Sequence, residues 1–156
     1  MVVLRDVAPD DLPVFFEHQI DTEANHMAAF TTADPSDRDA FMDRWTRIMN
    51  DNTVRVNTIL AGDAVAGHVL SFEREGEWEV SYWIGKSFWG QGIATKALAA
   101  FLTHETTRPL HARAAKDNIG SIRVLQKCGF TITGEDRGFA NARGEEIEEY
   151  VLELRQ

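Results

Sequence analysis

Trp83-Ile84-Gly85-Lys86-Ser87-Phe88-Trp89-Gly90-Gln91-Gly92-Ile93-Ala94-Thr95 is the stretch whose reading decides the fold. It carries the chain out of an extended run, residues 78–84, and into a helical one, residues 92–105. In the helical run Ala94, Ala97, Leu98, Phe101 and Leu102 form one apolar stripe, as for a helix packed on a sheet. A short strand at 111–115 follows. If the two flanking strands lie parallel in one sheet, the crossover between them must be right-handed.

Upstream, Val54, Val56, Thr58 and Leu60 alternate and Ala61-Gly62-Asp63 turns the chain. Residues 65–72 form the next strand, and Glu75-Gly76-Glu77 turns it into 78–84. Such short connections predict an antiparallel meander. Val2–Asp6 reads as a first strand. Pro9-Asp10-Asp11-Leu12 opens one helix, with acids in its first turn favoured by the helix dipole. Asp34-Pro35-Ser36-Asp37 opens another through about Met49. Downstream, 118–128 is helical with Ile122 and Leu125 inward. Residues 130–133 and 147–154 read as a closing hairpin and 138–144 as a loop. The expected fold class is α/β (α+β), with a mixed sheet of six or seven strands in one domain, 1–156.

Composition bounds the function. The 156 residues are 44% hydrophobic and 26% charged, an ordinary globular balance. Neither a membrane span nor a secretory leader is readable, so a cytoplasmic protein is expected. One cysteine, Cys128, excludes an internal disulfide and a cysteine zinc site; it reads as a core thiol. The histidines show no H-x-x-x-H pair, so no metal is expected. The net charge is −9, yet residues 86–127 carry seven basic side chains against Glu105 and Asp117. An acidic protein with one basic stretch is a poor binder of duplex nucleic acid and a plausible host for one small polyanion. A solvated surface explains the same charges.

The glycine stretch is where a polyanion would sit. Gly90 and Gly92 lack a Cβ, so a ligand can approach the backbone closely. A helix starting near Gly92 points unpaired N–H groups outward, a seat for pyrophosphate. No Walker A motif is present, and the third glycine of a Rossmann fingerprint is missing. On this stretch alone, a plain strand-to-helix turn needing glycines is the competing reading.

Trp89-Gly90-Gln91-Gly92-Ile93-Ala94 resembles the Q/R-x-x-G-x-G/A acetyl-CoA motif of the GNAT N-acetyltransferases. Trp89 stands where that family usually has Gln or Arg, a departure similar to the RimJ/RimL-like branch. Tyr82-Trp83-Ile84-Gly85 and Ala94-Thr95-Lys96-Ala97-Leu98 look like the same branch. A second block, from Asp117-Asn118-Ile119-Gly120-Ser121 to Cys128-Gly129-Phe130, resembles the family's N-x-x-S-(x)7-G-F segment. The detailed match covers about residues 78–130.

The resemblance implies a mostly antiparallel sheet flanked by about four helices, with a parallel strand pair splayed at the cofactor site. It implies acetyl-CoA as cosubstrate. The pyrophosphate would lie on Trp89, Gly90, Gln91, Gly92, Ile93, Ala94 and Thr95. The pantetheine arm would run beside Trp83 and Ile84 like an added strand. Asn118 and Ser121 would contact it from the next helix, with Arg123 and Lys127 nearer the outer phosphates.

Acetyl transfer by direct amine attack needs a proton acceptor, an oxyanion donor and, usefully, an acid for the thiolate. Ser121 is the candidate acid; an ordinary helix Ser bonding its own backbone is the plain alternative. Glu79 is the candidate base. Alternation puts it on one strand face with Ser81 and Trp83, where an unused carboxylate is costly. A strand-end Glu in a charge-rich turn explains it equally. His68 could face the same cleft. The acids of residues 17–52, Glu17, Asp21, Glu23, Asp34, Asp37, Asp39, Asp43 and Asp51, would favour a cationic acceptor if they line a cleft wall. The expected partners are acetyl-CoA and an amine, such as a protein N-terminus or small amine, with no nucleic acid or membrane. The protein would act as monomer or homodimer. A non-catalytic acyl-CoA-binding regulatory module is the competing function.

Overall fold

The computed structural model describes residues 1–156. Seven strands are β1 (Val2–Asp6), β2 (Arg55–Ala61), β3 (Ala64–Arg74), β4 (Glu77–Ile84), β5 (Leu110–Ala115), β6 (Thr131–Ala140) and β7 (Glu145–Leu154). Five α-helices are α1 (Leu12–Ile20), α2 (Thr22–Ala28), α3 (Arg38–Asn50), α4 (Ile93–Leu102) and α5 (Ile119–Lys127). The strands form one sheet in the order β1-β2-β3-β4-β5-β7-β6. Every neighbouring pair is antiparallel except β4–β5. This is the mixed α/β sheet expected from the sequence. No helix is long and apolar enough to cross a membrane.

The parallel pair positions the site. β4 and β5 pair only at Trp78↔Leu110 and Glu79↔His111. Beyond those two rungs the strands separate, as the resemblance implied. β4 stays zipped to β3 along its whole length, from Gly67↔Ile84 to Arg74↔Glu77. The opening therefore comes from β5 turning away, not from β4 peeling off its other neighbour. β5 in turn is held by β7 over six rungs.

The sheet register sorts side chains onto two faces. Residues opposite each other across an antiparallel pair share a face. His68, Leu70 and Phe72 of β3 thus join Trp83, Ser81 and Glu79 of β4. That face is covered by α1 and α3: the Phe15 and Trp45 rings lie 4.9 and 4.8 Å from the His68 ring. The other face carries Val69, Val80 and Tyr82. It packs under α4 and α5 in the main core, with Ala97, Leu98, Phe101, Ile122 and Leu125.

Three differences from the sequence reading have physical causes. α2 was not anticipated: it is seven residues long with no apolar stripe, and Asp21 caps it through Oδ1 on the Ala24 N–H at 2.9 Å. β6 runs to Ala140, past the expected 130–133, because it pairs with β7 as an exposed edge where no apolar alternation is required. The turn shrinks to residues 141–144, so the expected 138–144 loop begins inside a strand.

Candidate active site

Gly92 ends the loop after β4 and caps α4. Its φ is +74°, and Gly90 has +77°, conformations that side chains rarely adopt. No side chain caps α4, and its first bond back to the loop is Lys96 N–H to the Gly92 carbonyl at 3.2 Å. The N–H groups of Ile93, Ala94 and Thr95 thus precede the first intrahelical bond. A Cβ at Gly90 or Gly92 would meet open space. The glycines leave room for a ligand rather than relieving a clash.

This loop lines a cleft of about 550 Å³ between β4, α4 and α5, closed on a third side by Ala24, Met27 and Ala28 of α2. Every residue expected to hold acetyl-CoA lines it except Gln91. The Gln91 side-chain amide instead donates to the Ser87 carbonyl at 3.3 Å. Arg123 and Lys127, one turn apart on α5, are the cations of the cleft. Lys86 turns elsewhere, pairing with Glu23 at 2.9 Å. The Trp89 indole N–H donates to the Ile84 carbonyl at 2.9 Å, fastening the loop to the end of β4. Uncapped helix N–H groups, open glycines and two cations suit a diphosphate.

A second cleft of about 560 Å³ opens on the α1/α3 face of the sheet. It shares Ala28, Tyr82, Trp83, Asn118 and Ser121 with the first. The two cavities therefore meet where β4 and β5 diverge.

At the junction, Tyr82 Oη and Ser121 Oγ are 2.8 Å apart. Ser121 is placed by its helix start: the Asn118 Oδ1 accepts its backbone N–H at 3.3 Å. Asn118 in turn donates through Nδ2 to the Met27 carbonyl of α2 at 3.3 Å. Burial pushes the Tyr82 hydroxyl up to about 12, so it keeps its proton across the neutral range. Tyr82 was not singled out from the sequence. Alternation puts it on the opposite face of β4 from Glu79 and Trp83, and only the packing of α5 brings Ser121 to it.

Glu79 lies in the second cleft, at the last rung of the parallel pair. It is buried, and two arginines hold it: Arg74 Nε at 2.8 Å and Arg113 Nε at 3.7 Å. Arg113 also donates to Glu149 at 2.6 Å and Asp136 at 2.9 Å. Its partners favour its charged form over the desolvation that opposes it, so its pKa is raised. By strand rise, Glu79 is roughly 10–13 Å along β4 from Tyr82 and Trp83.

His68 lines the same cleft, and burial together with the nearby Arg44 charge pushes its pKa down to about 3. It is neutral at physiological pH. The acids of residues 17–52 do not line either cleft. Asp21 and Asp37 cap α2 and α3, and Asp34 and Asp51 bond their own turns. The one charged residue that this arm does contribute is basic, Arg44. Cys128 sits at the end of α5, with burial pushing its thiol up, as befits an inert packed cysteine.

A splayed parallel pair with a glycine loop on one side and an open cleft on the other lets two ligands reach one point from opposite faces of the sheet. Residues 2–131 match the family model described as an acetyltransferase (GNAT) domain, and the chain belongs to that family. A curated relative, the Uncharacterized N-acetyltransferase p20 of Bacillus licheniformis, is 27% identical over 86 residues. That alignment spans 53% of this chain and 48% of p20, about half of each. Solved structures share the fold over nearly the whole chain. The spermidine N-acetyltransferase from Vibrio cholerae, solved with CoA and spermine, superposes with a TM-score of 0.79 at 17% identity, covering 98% and 95% of the two chains. The ribosomal-protein-alanine N-acetyltransferase from Brucella melitensis gives 0.76 at 20%, covering 99% of each. The microcin C7 self immunity acetyltransferase MccE, solved with acetyl-CoA and AMP, gives 0.80 at 17%, covering 99% and 92%.

Proposed function

We propose that this protein transfers the acetyl group of acetyl-CoA to a primary amine by direct attack, as a RimJ/RimL-like member of its family. The observation that carries the reading is the meeting of two cavities at Tyr82, Trp83, Asn118 and Ser121. A thioester entering from one side and an amine from the other would meet there without a covalent enzyme intermediate.

The roles follow from position. The α4 N–H groups of Ile93, Ala94 and Thr95 hold the diphosphate, and Arg123 and Lys127 meet the outer phosphate. Trp83 and Ile84 flank the pantetheine. The amine nitrogen attacks the thioester carbon, the C–N bond forms, and the C–S bond breaks. Ser121 gives its proton to the departing thiolate and recovers one from Tyr82, which starts protonated because its pKa is high and takes its own proton back from solvent through the open cleft. The amine proton leaves through solvent to Glu79. The two arginines already on Glu79 make direct contact with the amine a poor route.

The test is thiol release from acetyl-CoA with a panel of primary amines, alongside calorimetry with CoA. Turnover with at least one amine is expected. Tight CoA binding with no thiol release across the panel would instead make the protein an acyl-CoA-binding module.

A further inference from the structure

The acceptor cleft has an unusual charge inventory. It is lined by four arginines, Arg44, Arg74, Arg113 and Arg137, and three carboxylates, Glu79, Asp136 and Glu149. All three carboxylates are taken: Arg74 and Arg113 hold Glu79, and Arg113 holds the other two. Arg137 pairs outside the cleft with Glu146 and Glu148 on β7. Arg44 alone has neither a carboxylate within ion-pair distance nor a side-chain hydrogen bond. Arg44 is an exposed residue of the cleft lining, where partial desolvation and then the like charge of Arg47 lower its pKa, and only solvent meets its guanidinium.

Two further polar atoms on the same face lack partners. His68 Nδ1 and the Trp83 indole nitrogen are both buried and unbonded. They belong to directly opposed residues of β3 and β4. Trp83 lines the junction of the two clefts, and His68 is close enough to Arg44 to feel its charge. The unused groups thus run from the transfer point toward Arg44. Between them the wall is apolar, built by Phe15, Phe41, Trp45 and Leu70.

We infer that the acceptor is a small primary amine that also bears an anionic group, with Arg44 as the residue that selects it. This rests on the acetyl-transfer reading above. A carboxylate or phosphonate set near the amine would give Arg44 its missing partner. An apolar body would fill the aromatic wall. A purely cationic polyamine would meet an unneutralised guanidinium instead, so the cleft discriminates by repulsion as well as by attraction.

The experiment uses four probes with one phenyl body: phenethylamine, phenylalanine, phenylalanine amide and the aminophosphonate analogue of phenylalanine. Each is titrated into the CoA-loaded protein by calorimetry and assayed with acetyl-CoA for thiol release. An anionic member should bind and react better than the two uncharged-group members by about tenfold or more, the usual worth of a charge-assisted bond. Which of the two anions wins identifies the group. Arg44→Gln should erase that preference, whereas Arg47→Gln, on the same helix and outside the cleft, should keep it. Equal binding of all four by the unaltered protein, or a preference that survives in Arg44→Gln, would overturn the inference. Failure to bind CoA, or anion-selective binding without thiol release, would count against acetyl transfer and leave the selectivity decided by the calorimetry.

Discussion

The Tyr82 hydroxyl lies 2.8 Å from the Ser121 hydroxyl, across the gap between β4 and α5 where the two cavities join. Neither residue alone is well placed to be both a donor and a replenished donor; the pair is. Ser121→Ala should lower kcat by about tenfold or more while leaving CoA affinity nearly unchanged. Tyr82→Phe keeps the ring and removes only the hydroxyl, so it should lower kcat in the same direction. If the two act as a unit, the double variant will be little worse than Ser121→Ala. Unaltered kcat in Ser121→Ala at saturating substrates would reject the donor role.

Gly92→Glu should abolish CoA binding, because it adds bulk and negative charge where the diphosphate is expected. Gly92→Ala is the control. The open space around its Cβ leaves only the strain of a left-handed φ, about 1 kcal/mol of stability. The alanine variant should therefore fold and bind CoA, and the glutamate variant should fold without binding. Calorimetric titration of both decides this, and unchanged affinity in Gly92→Glu sinks the placement.

Glu79→Gln should remove a limb from the pH–rate profile if Glu79 receives the amine proton. The same change releases Arg74 and weakens one of three contacts of Arg113. A purely structural role would lower thermal stability and leave the profile's shape intact. The pH–rate profile and the unfolding midpoint, measured on the same preparation, separate the two.

His68 makes the fold acid-sensitive. Its pKa is pushed down to about 3 in the folded protein from 6.5 in an unfolded chain, first by burial and then by Arg44. Between those values the unfolded chain binds the extra proton, so stability is fully present above about 6.5 and drains away as pH falls toward 3. Asp11 adds to the loss below about 4. Its pKa is lowered to about 2 by bonds from Arg5, Ala8 N–H and Thr58, against its desolvation. His68→Gln should flatten the decline of Tm between pH 6 and 4. An undiminished slope would show that other groups carry it.

Much of this was legible in the sequence, and the limits are instructive. The run through Gly90 and Gly92 gave the strand, loop and helix because each local preference, alternation, glycine and apolar stripe, agreed with the next. Glu79, Ser81 and Trp83 do share one face, since strand alternation is a local property. Partners set by packing were not legible. Tyr82 meets Ser121 across 39 residues, and the arginines on Glu79 arrive from β3 and β5. The acidic arm misled for a related reason. Composition counts charges without direction, and caps and turns absorbed several acids while Arg44 reached the cleft.

The segment around α2 forms a wall common to both cavities, and the way it is fastened has a consequence for change over time. Besides the Lys86–Glu23 ion pair, four hydrogen bonds anchor it, from Asn118, Arg143, Ala142 N–H and Asn141. All four land on main-chain carbonyls, those of Met27, His26, Ala29 and Thr31. Every residue has such a carbonyl, whatever its side chain. The partition can therefore be rewritten in sequence without losing its moorings, and a new acceptor can be accommodated by exchanging side chains on a fixed rail.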